Sequence, residues 1–195
     1  DAFGYHYIDD DHMAIYLIDV CGHGVGAAML CISAFNLIRS QSLTDTNFHS
    51  PASVLNALNR AFPMEQQNLK YFTIWYGVYS KGDQTIKFGS AGHPHAIILR
   101  QDHPNSTPKL TKLGTKGVAI GCFDGIDFVE DQVQLTARNK LYVFSDGVYE
   151  MWPELRDARV GLGVTNMVIE YLDWTNRFEF VEEKSEIKNR MKSQW

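Results

Sequence analysis

The chain has 195 residues, 45% of them hydrophobic and 12% aromatic, enough to bury a sizeable core within one domain. Its formal net charge of −5 excludes the basic face that nucleic-acid binding requires, although cations held locally can still attract a phosphorylated substrate. The three cysteines, Cys21, Cys31 and Cys122, are far apart and form no CxxC pair, which reads as reduced thiols in a cytoplasmic protein.

No charged-then-apolar leader opens the sequence, and no run of about 18 apolar residues spans a bilayer. The chain starts at Asp1 without a methionine and is read as a fragment, with its natural neighbour on that side absent. Residues 3–8 are aromatic and β-branched, Asp9-Asp10-Asp11 make a turn, and residues 13–18 are continuously apolar. This pattern predicts a β-hairpin whose second strand is central and covered on both faces. That strand runs into Asp19-Val20-Cys21-Gly22-His23-Gly24-Val25-Gly26.

After the glycines the period becomes helical. Val25, Met29, Ile32, Phe35 and Ile38 recur at three- and four-residue spacings and predict one buried stripe. Residues 47–50 form a loop, and Ser50-Pro51 is a good N-cap and first-turn pair for a second helix carrying Val54, Leu55, Leu58 and Phe62. Strands are predicted at 71–79, 85–89, 96–99, 132–135 and 140–145, with a turn at 81–83 and a polar loop at 103–108. Beyond Pro153 the pattern predicts a short helix at 165–172 and a charged helix at 182–192, whose mixed signs suit a solvated face. Strands, two long helices, more strands and terminal helices predict an α+β domain spanning residues 1–195, not a βαβ type.

Two aspartates share an unusual context. Asp19 and Asp146 each follow an apolar strand and precede glycine-containing sequence. A carboxylate at the rim of a core is costly unless it is paired, hydrogen-bonded or bound to metal, and adjacent glycines allow close approach of a ligand. If the two strands are neighbours, the pair makes hard oxygen ligands for Mg²⁺ or Mn²⁺. The alternative is that each aspartate merely caps a turn or the helix that follows. Spacing alone leaves both open.

Three blocks carry a more specific resemblance: Asp19-Val-Cys-Gly-His-Gly-Val-Gly-Ala-Ala28, Ser90-Ala-Gly-His-Pro94 and Phe144-Ser-Asp-Gly-Val-Tyr-Glu150. In this order they are similar to the signature blocks of SpoIIE/RsbU-type phosphatases, the bacterial branch of the metal-dependent (PPM, type 2C) protein phosphatases. Residues 72–78 resemble the family strand between the first two blocks, and residues 117–121 the glycine-bounded segment before the last. The likeness covers residues 1 to about 163 and is nearest in wording to cyanobacterial members. It implies a layered α-β-β-α sandwich with two mostly antiparallel sheets. It also implies two divalent cations, Mn²⁺ or Mg²⁺, with Asp1 as a ligand of one, Asp19 bridging both, the Val20 carbonyl on the second and Asp146 contributing from the other strand. Asp19 and Asp146 are then the catalytic pair, with water and not a side chain as nucleophile.

The family closes with an Asp-Asp-x-Thr/Ser strand. Asp173-Trp174-Thr175 falls too early to be it, so the chain is expected to stop short of that strand with one metal site incomplete. By resemblance the substrate is a phosphoserine or phosphothreonine on a small anti-sigma-factor antagonist of STAS type. The likeness also implies an upstream sensor or receiver domain and allows a homodimer, while the lack of a long apolar run implies no membrane segment. Two other functions compete: a phosphatase-like module that binds phosphoprotein with little turnover, and a hydrolase of small phosphate esters, which needs a deep enclosed pocket.

Several residues carry weaker signals. Cys21 reads as a small hydrophobe, His23 as a helix-start residue more than a proton donor, and His93 as a brace at a strand end. Asp9, Asp10, Asp11 and His12 have the look of a metal cluster but read as a solvated hairpin turn. Gly22, Gly24 and Gly26 lack the rest of a dinucleotide fingerprint.

Overall fold

The computed structural model describes residues 1–100, 109–136 and 139–147, together with the backbone of two short strands at 168–170 and 179–180. The chain divides into two compact units, Asp1–His95 with Leu113–Leu135, and Ala96–Lys112 with Thr136–Trp195.

The first unit opens with the expected hairpin: β1 (Ala2–Tyr7) pairs antiparallel with β2 (His12–Val20). Strands β3 (Phe72–Ser80), β4 (Thr85–Ala91) and β7 (Asp131–Gln134) extend the sheet in the order β1-β2-β3-β4-β7, with every neighbouring pair antiparallel. From Met13 through Ile18 no residue is more than 2% exposed, so β2 is covered on both faces. Alternation sends Ala14, Tyr16 and Ile18 into the main core cluster and Met13, Ile15 and Leu17 to the opposite face. Each such fully buried aliphatic side chain contributes about 1.5–3 kcal/mol, which pins the register of β2 against a one-residue slip.

Helix α1 (Val25–Arg39) packs on β1 and β2, and α2 (Pro51–Ala61) on β3 and β4. The predicted α1 stripe is corrected. Ala27, Leu30, Cys31, Ala34 and Ile38 are buried, whereas Val25, Met29 and Ile32 are 76%, 61% and 54% exposed. The helix is apolar around most of its circumference, so two series at three- and four-residue spacing compete. The series with small Ala27, Cys31 and Ala34 lets the helix approach the bulky Tyr16 ring, which Phe35 flanks at 5.6 Å.

Helix α2 follows its sequence signals. Ser50 is the N-cap, its Oγ accepting from the Ser53 N–H at 3.2 Å, and Pro51 occupies the first turn. The Glu130 carboxylate reinforces this start by accepting from the Ser50 hydroxyl and from the Ala52 N–H at 3.0 Å. Val54, Leu55 and Leu58 are fully buried, while Phe62 serves as the C-cap and packs edge-on to Phe72 at 5.6 Å.

The second sheet contains β5 (Ala96–Arg100), β6 (Lys109–Leu113), β8 (Asn139–Tyr142), β9 (Val168–Glu170) and β10 (Glu179–Phe180), in the order β10-β9-β8-β5-β6. Its β5–β8, β8–β9 and β9–β10 pairs are antiparallel. Three expectations change here. Strand β6 was not foreseen, because its sequence Lys-Leu-Thr-Lys-Leu is largely polar. The predicted strand at 140–145 is shorter: β8 ends at Tyr142, and Val143, Phe144 and Ser145 continue buried but irregular. Residues 168–170, placed in a helix by their spacing, form a strand paired with β8. Val168 and Ile169 are β-branched and favour extended backbone once a partner strand is available. The loop at 103–108 and the charged helix at 182–192 lie outside the described residues. Among the described residues, two antiparallel sheets and two α-helices make the α+β class that the sequence predicts. Among the described residues no helix is long and apolar enough to cross a membrane.

Candidate active site

Asp19 is the penultimate residue of β2, one place further inside the strand than expected, and is half-buried. It pairs with Thr73 of β3, as Val20 pairs with Phe72. The β1–β2 register sets Ala2 opposite Ile18, which brings Asp1, the residue before Ala2, level with Asp19 on the adjacent strand. Directly opposed residues share a face and adjacent strands lie about 4.8 Å apart, so two carboxylate-bearing residues meet at one end of the first sheet.

The chain then turns sharply through glycines. Gly22 and Gly24 have φ of 81° and 91°, left-handed values that cost a side-chain-bearing residue about 1 kcal/mol or more. Gly24 is the N-cap of α1, which has no side-chain cap and no acidic residue in its first turn. Its first-turn N–H groups, which have no acceptor within the helix, and its positive dipole end therefore face the turn that follows Asp19. Cys21 anchors this turn: its N–H donates to the Tyr71 carbonyl at 3.0 Å, and its Sγ accepts from the Tyr71 N–H at 3.2 Å. That pairing gives Cys21 a structural role. His23 is exposed at the helix start.

Lys70 escaped the sequence reading. Its side chain crosses the glycine turn: a Cβ added at Gly26 would lie 3.2 Å from Lys70 Cε, and one at Gly22 would lie 3.7 Å from Nζ. The backbone before it is held in two successive left-handed conformations, Asn68 at φ 52° and Leu69 at φ 59°. The Lys70 N–H donates to the Gln67 carbonyl, which closes the turn. A lone loop lysine more than forty residues from the motif carries no spacing signal, and only the folded turn delivers its charge there.

The second motif block sits behind the same strand end. Gly92 forms a parallel bridge with Ile74, its N–H donates to the Gly117 carbonyl at 3.2 Å, and Phe72 bridges Ile120. At φ 66°, a Cβ on Gly92 would come 2.9 Å from the Ala119 backbone nitrogen, so this crossing of segments requires glycine. His93 is only 5% exposed, and its Nδ1 lies 2.9 Å from the Thr73 hydroxyl. Thr73 is the cross-strand partner of Asp19, so His93 meets the strand next to the one that carries Asp19.

Asp146 belongs to the second unit. It stands exposed in a turn after the buried Val143-Phe144-Ser145 segment, and Phe144 packs with Ile97, Leu99, Leu110 and Tyr142. The structure thus brings Asp1, Asp19 and Val20 together at one sheet end, and holds Asp146 at the mouth of a separate buried segment.

The sequence model of the Stage II sporulation protein E (SpoIIE) family matches residues 9–175. The chain is similar to the phosphoserine phosphatase RsbP of Bacillus subtilis, with 30% identity over 154 residues, 77% of this chain and 36% of that protein. It is similar also to the phosphoserine phosphatase RsbU of the same organism, at 29% over 147 residues, 75% of this chain and 42% of that protein. The chain thus spans less than half the length of these curated relatives. Among solved structures, the PP2C phosphatase domain of SpoIIE from Bacillus subtilis superposes with a TM-score of 0.63 at 19% identity, covering 76% of this chain and 42% of that one. At that identity the likeness speaks to the fold.

Proposed function

This chain belongs to the SpoIIE family, and on that premise we propose that it hydrolyses phosphoserine or phosphothreonine in a partner protein with the help of divalent cations. The observation that carries this reading is the juxtaposition of Asp1 and Asp19 immediately before the glycine turn and the start of α1. With the Val20 carbonyl, these carboxylates make an all-oxygen donor set, which fits hard Mn²⁺ or Mg²⁺, and Asp146 is proposed as a further ligand on the family resemblance alone. When bound, such cations neutralise phosphoryl oxygens and lower the pKa of water towards neutrality.

The chain's own residues do the positioning. Asp19 is held at the end of the sheet by the β2–β3 ladder, whose Thr73 opposite it contacts His93. The uncapped N-terminus of α1 and the Lys70 ammonium supply fixed positive charge beside it, which favours an incoming phosphoryl group. No cysteine serves as nucleophile. Burial pushes the Cys31 thiol up, and burial does the same for Cys122.

The named activities of RsbP and RsbU support a phosphoserine substrate, and we assign a small STAS-type antagonist as the protein that carries it. The test is phosphate release from a phosphorylated STAS protein, with and without Mn²⁺. Asp19→Asn is expected to lower kcat by about 10³-fold, several kcal/mol of lost transition-state stabilisation, and Asp146→Asn to do likewise. Turnover that survives both substitutions, or tight phosphoprotein binding without turnover in a chain extended at both ends, would overturn the proposal in favour of the binding module. Faster hydrolysis of free phosphate esters than of phosphoprotein would favour the small-ester hydrolase.

A further inference from the structure

The turn between β1 and β2 is more organised than a solvated acidic hairpin. Asp9 Oδ1 accepts from the Asp11 N–H at 2.9 Å and the His12 N–H at 2.8 Å, which fixes the carboxylate. His12 Nδ1 lies 2.9 and 3.1 Å from its two oxygens. From the loop before α2, 40 residues away in sequence, His49 brings Nε2 to 2.6 Å from Oδ2. The two imidazole rings meet edge-to-face with centroids 4.6 Å apart. One ligand atom from each of Asp9, His12 and His49 lies within 4.8 Å of the others, and all three side chains reach solvent.

The other nitrogen of His49 decides what this cluster holds. Asn47 Oδ1 accepts the His49 backbone N–H at 3.0 Å and also faces His49 Nδ1 at 3.3 Å. Because that oxygen is an acceptor, a hydrogen on Nδ1 would satisfy it and leave Nε2 facing Asp9 Oδ2 with a lone pair. A lone pair 2.6 Å from a carboxylate oxygen is repulsive unless a proton or a metal lies between them. The same arrangement, with an outer oxygen fixing the tautomer, orients histidines that bind metals. Asn47 is itself held, its N–H donating to Ser53 Oγ at 2.9 Å and its carbonyl accepting from the Ser50 N–H at 3.0 Å.

We propose that Asp9, His12 and His49 bind one divalent cation of the zinc class, clipping the β1–β2 turn to the loop that starts α2. Two imidazoles and one carboxylate suit Zn²⁺, Co²⁺ or Ni²⁺ over Mg²⁺ or Mn²⁺, with solvent completing the coordination. Ligand bonds of about 2.0–2.2 Å require the Asp9–His49 contact to open by less than about 1 Å. The site is distinct from the Asp19 end of the sheet. His12 and Val20 terminate the nine-residue β2, which separates the two by about 25 Å.

The experiment uses a chain carrying Asp19→Asn and Asp146→Asn, so that binding at the carboxylates proposed for catalysis does not contribute and the result stands whether or not the phosphatase reading holds. Zn²⁺ is titrated in competition with a chromophoric chelator, alongside thermal melts. One Zn²⁺ per chain is expected, unaffected by millimolar Mg²⁺, with a zinc-dependent rise in melting temperature. His49→Gln should abolish both, and Asn47→Ala, which leaves all three ligands in place, should weaken binding by about 10–100-fold. Circular dichroism verifies that each variant folds. Nitrogen-15 shifts report the rings directly: His12 Nδ1 and His49 Nε2 should move on zinc addition. Stoichiometric zinc retained by folded His49→Gln, or imidazolium shifts at His49 that zinc leaves unchanged, overturns the proposal in favour of a proton-bridged cluster.

Discussion

His6 shows how a single side chain couples this fold to pH. Both ring nitrogens are buried without a hydrogen-bond partner among the described residues, and the ring sits edge-on to Tyr16 at 5.8 Å. Burial, and then the Arg39 charge, push His6 below its ordinary value of 6.5. The folded state therefore keeps the ring neutral, while the unfolded chain takes up a proton as pH falls through 6.5. The stability that His6 contributes is complete above 6.5 and is lost as pH drops towards its folded value. Denaturant midpoints measured from about pH 7 to about pH 5.5 should fall, and His6→Phe, which keeps the edge-to-face contact, should flatten that slope. An unchanged slope would assign the titration to another group. Burial likewise pushes Tyr16 up to about 12, so its hydroxyl stays protonated throughout this range. Lys70 is the residue-scale prediction for catalysis. If its ammonium meets the phosphoryl group, Lys70→Gln should lower kcat/KM on phosphoprotein by about tenfold or more, the worth of one charge-assisted contact. An effect confined to melting temperature would make Lys70 a structural cover for the glycine turn.

At the scale of elements, α2 was legible because its signals are local. Ser50, Pro51 and the series Val54, Leu55, Leu58 are read directly from spacing, and the structure adds only the Glu130 carboxylate, 80 residues from Ser50. Ser50→Ala removes the cap and one partner of Glu130, and should cost about 1 kcal/mol in equilibrium unfolding. Glu130→Gln should cost less, since the amide oxygen still accepts from Ala52. Helix α1 was legible as a helix but not in its orientation, because Val25, Met29 and Ile32 form as good a stripe as Ala27, Leu30, Cys31 and Ala34. Periodicity measures how apolar residues are spaced, and cannot choose between two apolar faces when small residues fit the sheet better. Strands β6 and β9 failed for a related reason: short segments take their conformation from a partner strand that local sequence does not contain.

Across the whole molecule, cation binding should appear as folding stability. A ligand that binds only the native state adds RT ln(1 + [L]/Kd), about 2.7 kcal/mol at a hundredfold excess over Kd. Manganese is thus expected to raise the melting temperature of the chain, and Asp19→Asn to remove most of that rise. A rise that persists in Asp19→Asn but vanishes in His49→Gln would trace it to the β1–β2 turn instead. The sequence by itself determined the hairpin, the covered central strand, the two helices and the α+β class, because hydrophobic period, turn chemistry and capping act over a few residues. Its motif blocks also marked Asp1, Asp19, Val20 and Asp146 as candidates. Only the tertiary structure decided which face of α1 is buried, that Asp1 stands level with Asp19, that Lys70 crosses the glycine turn, and that His49 reaches Asp9. Each of these depends on strand register or on loops meeting across tens of residues, where the chain's spacing holds no record of who will be adjacent.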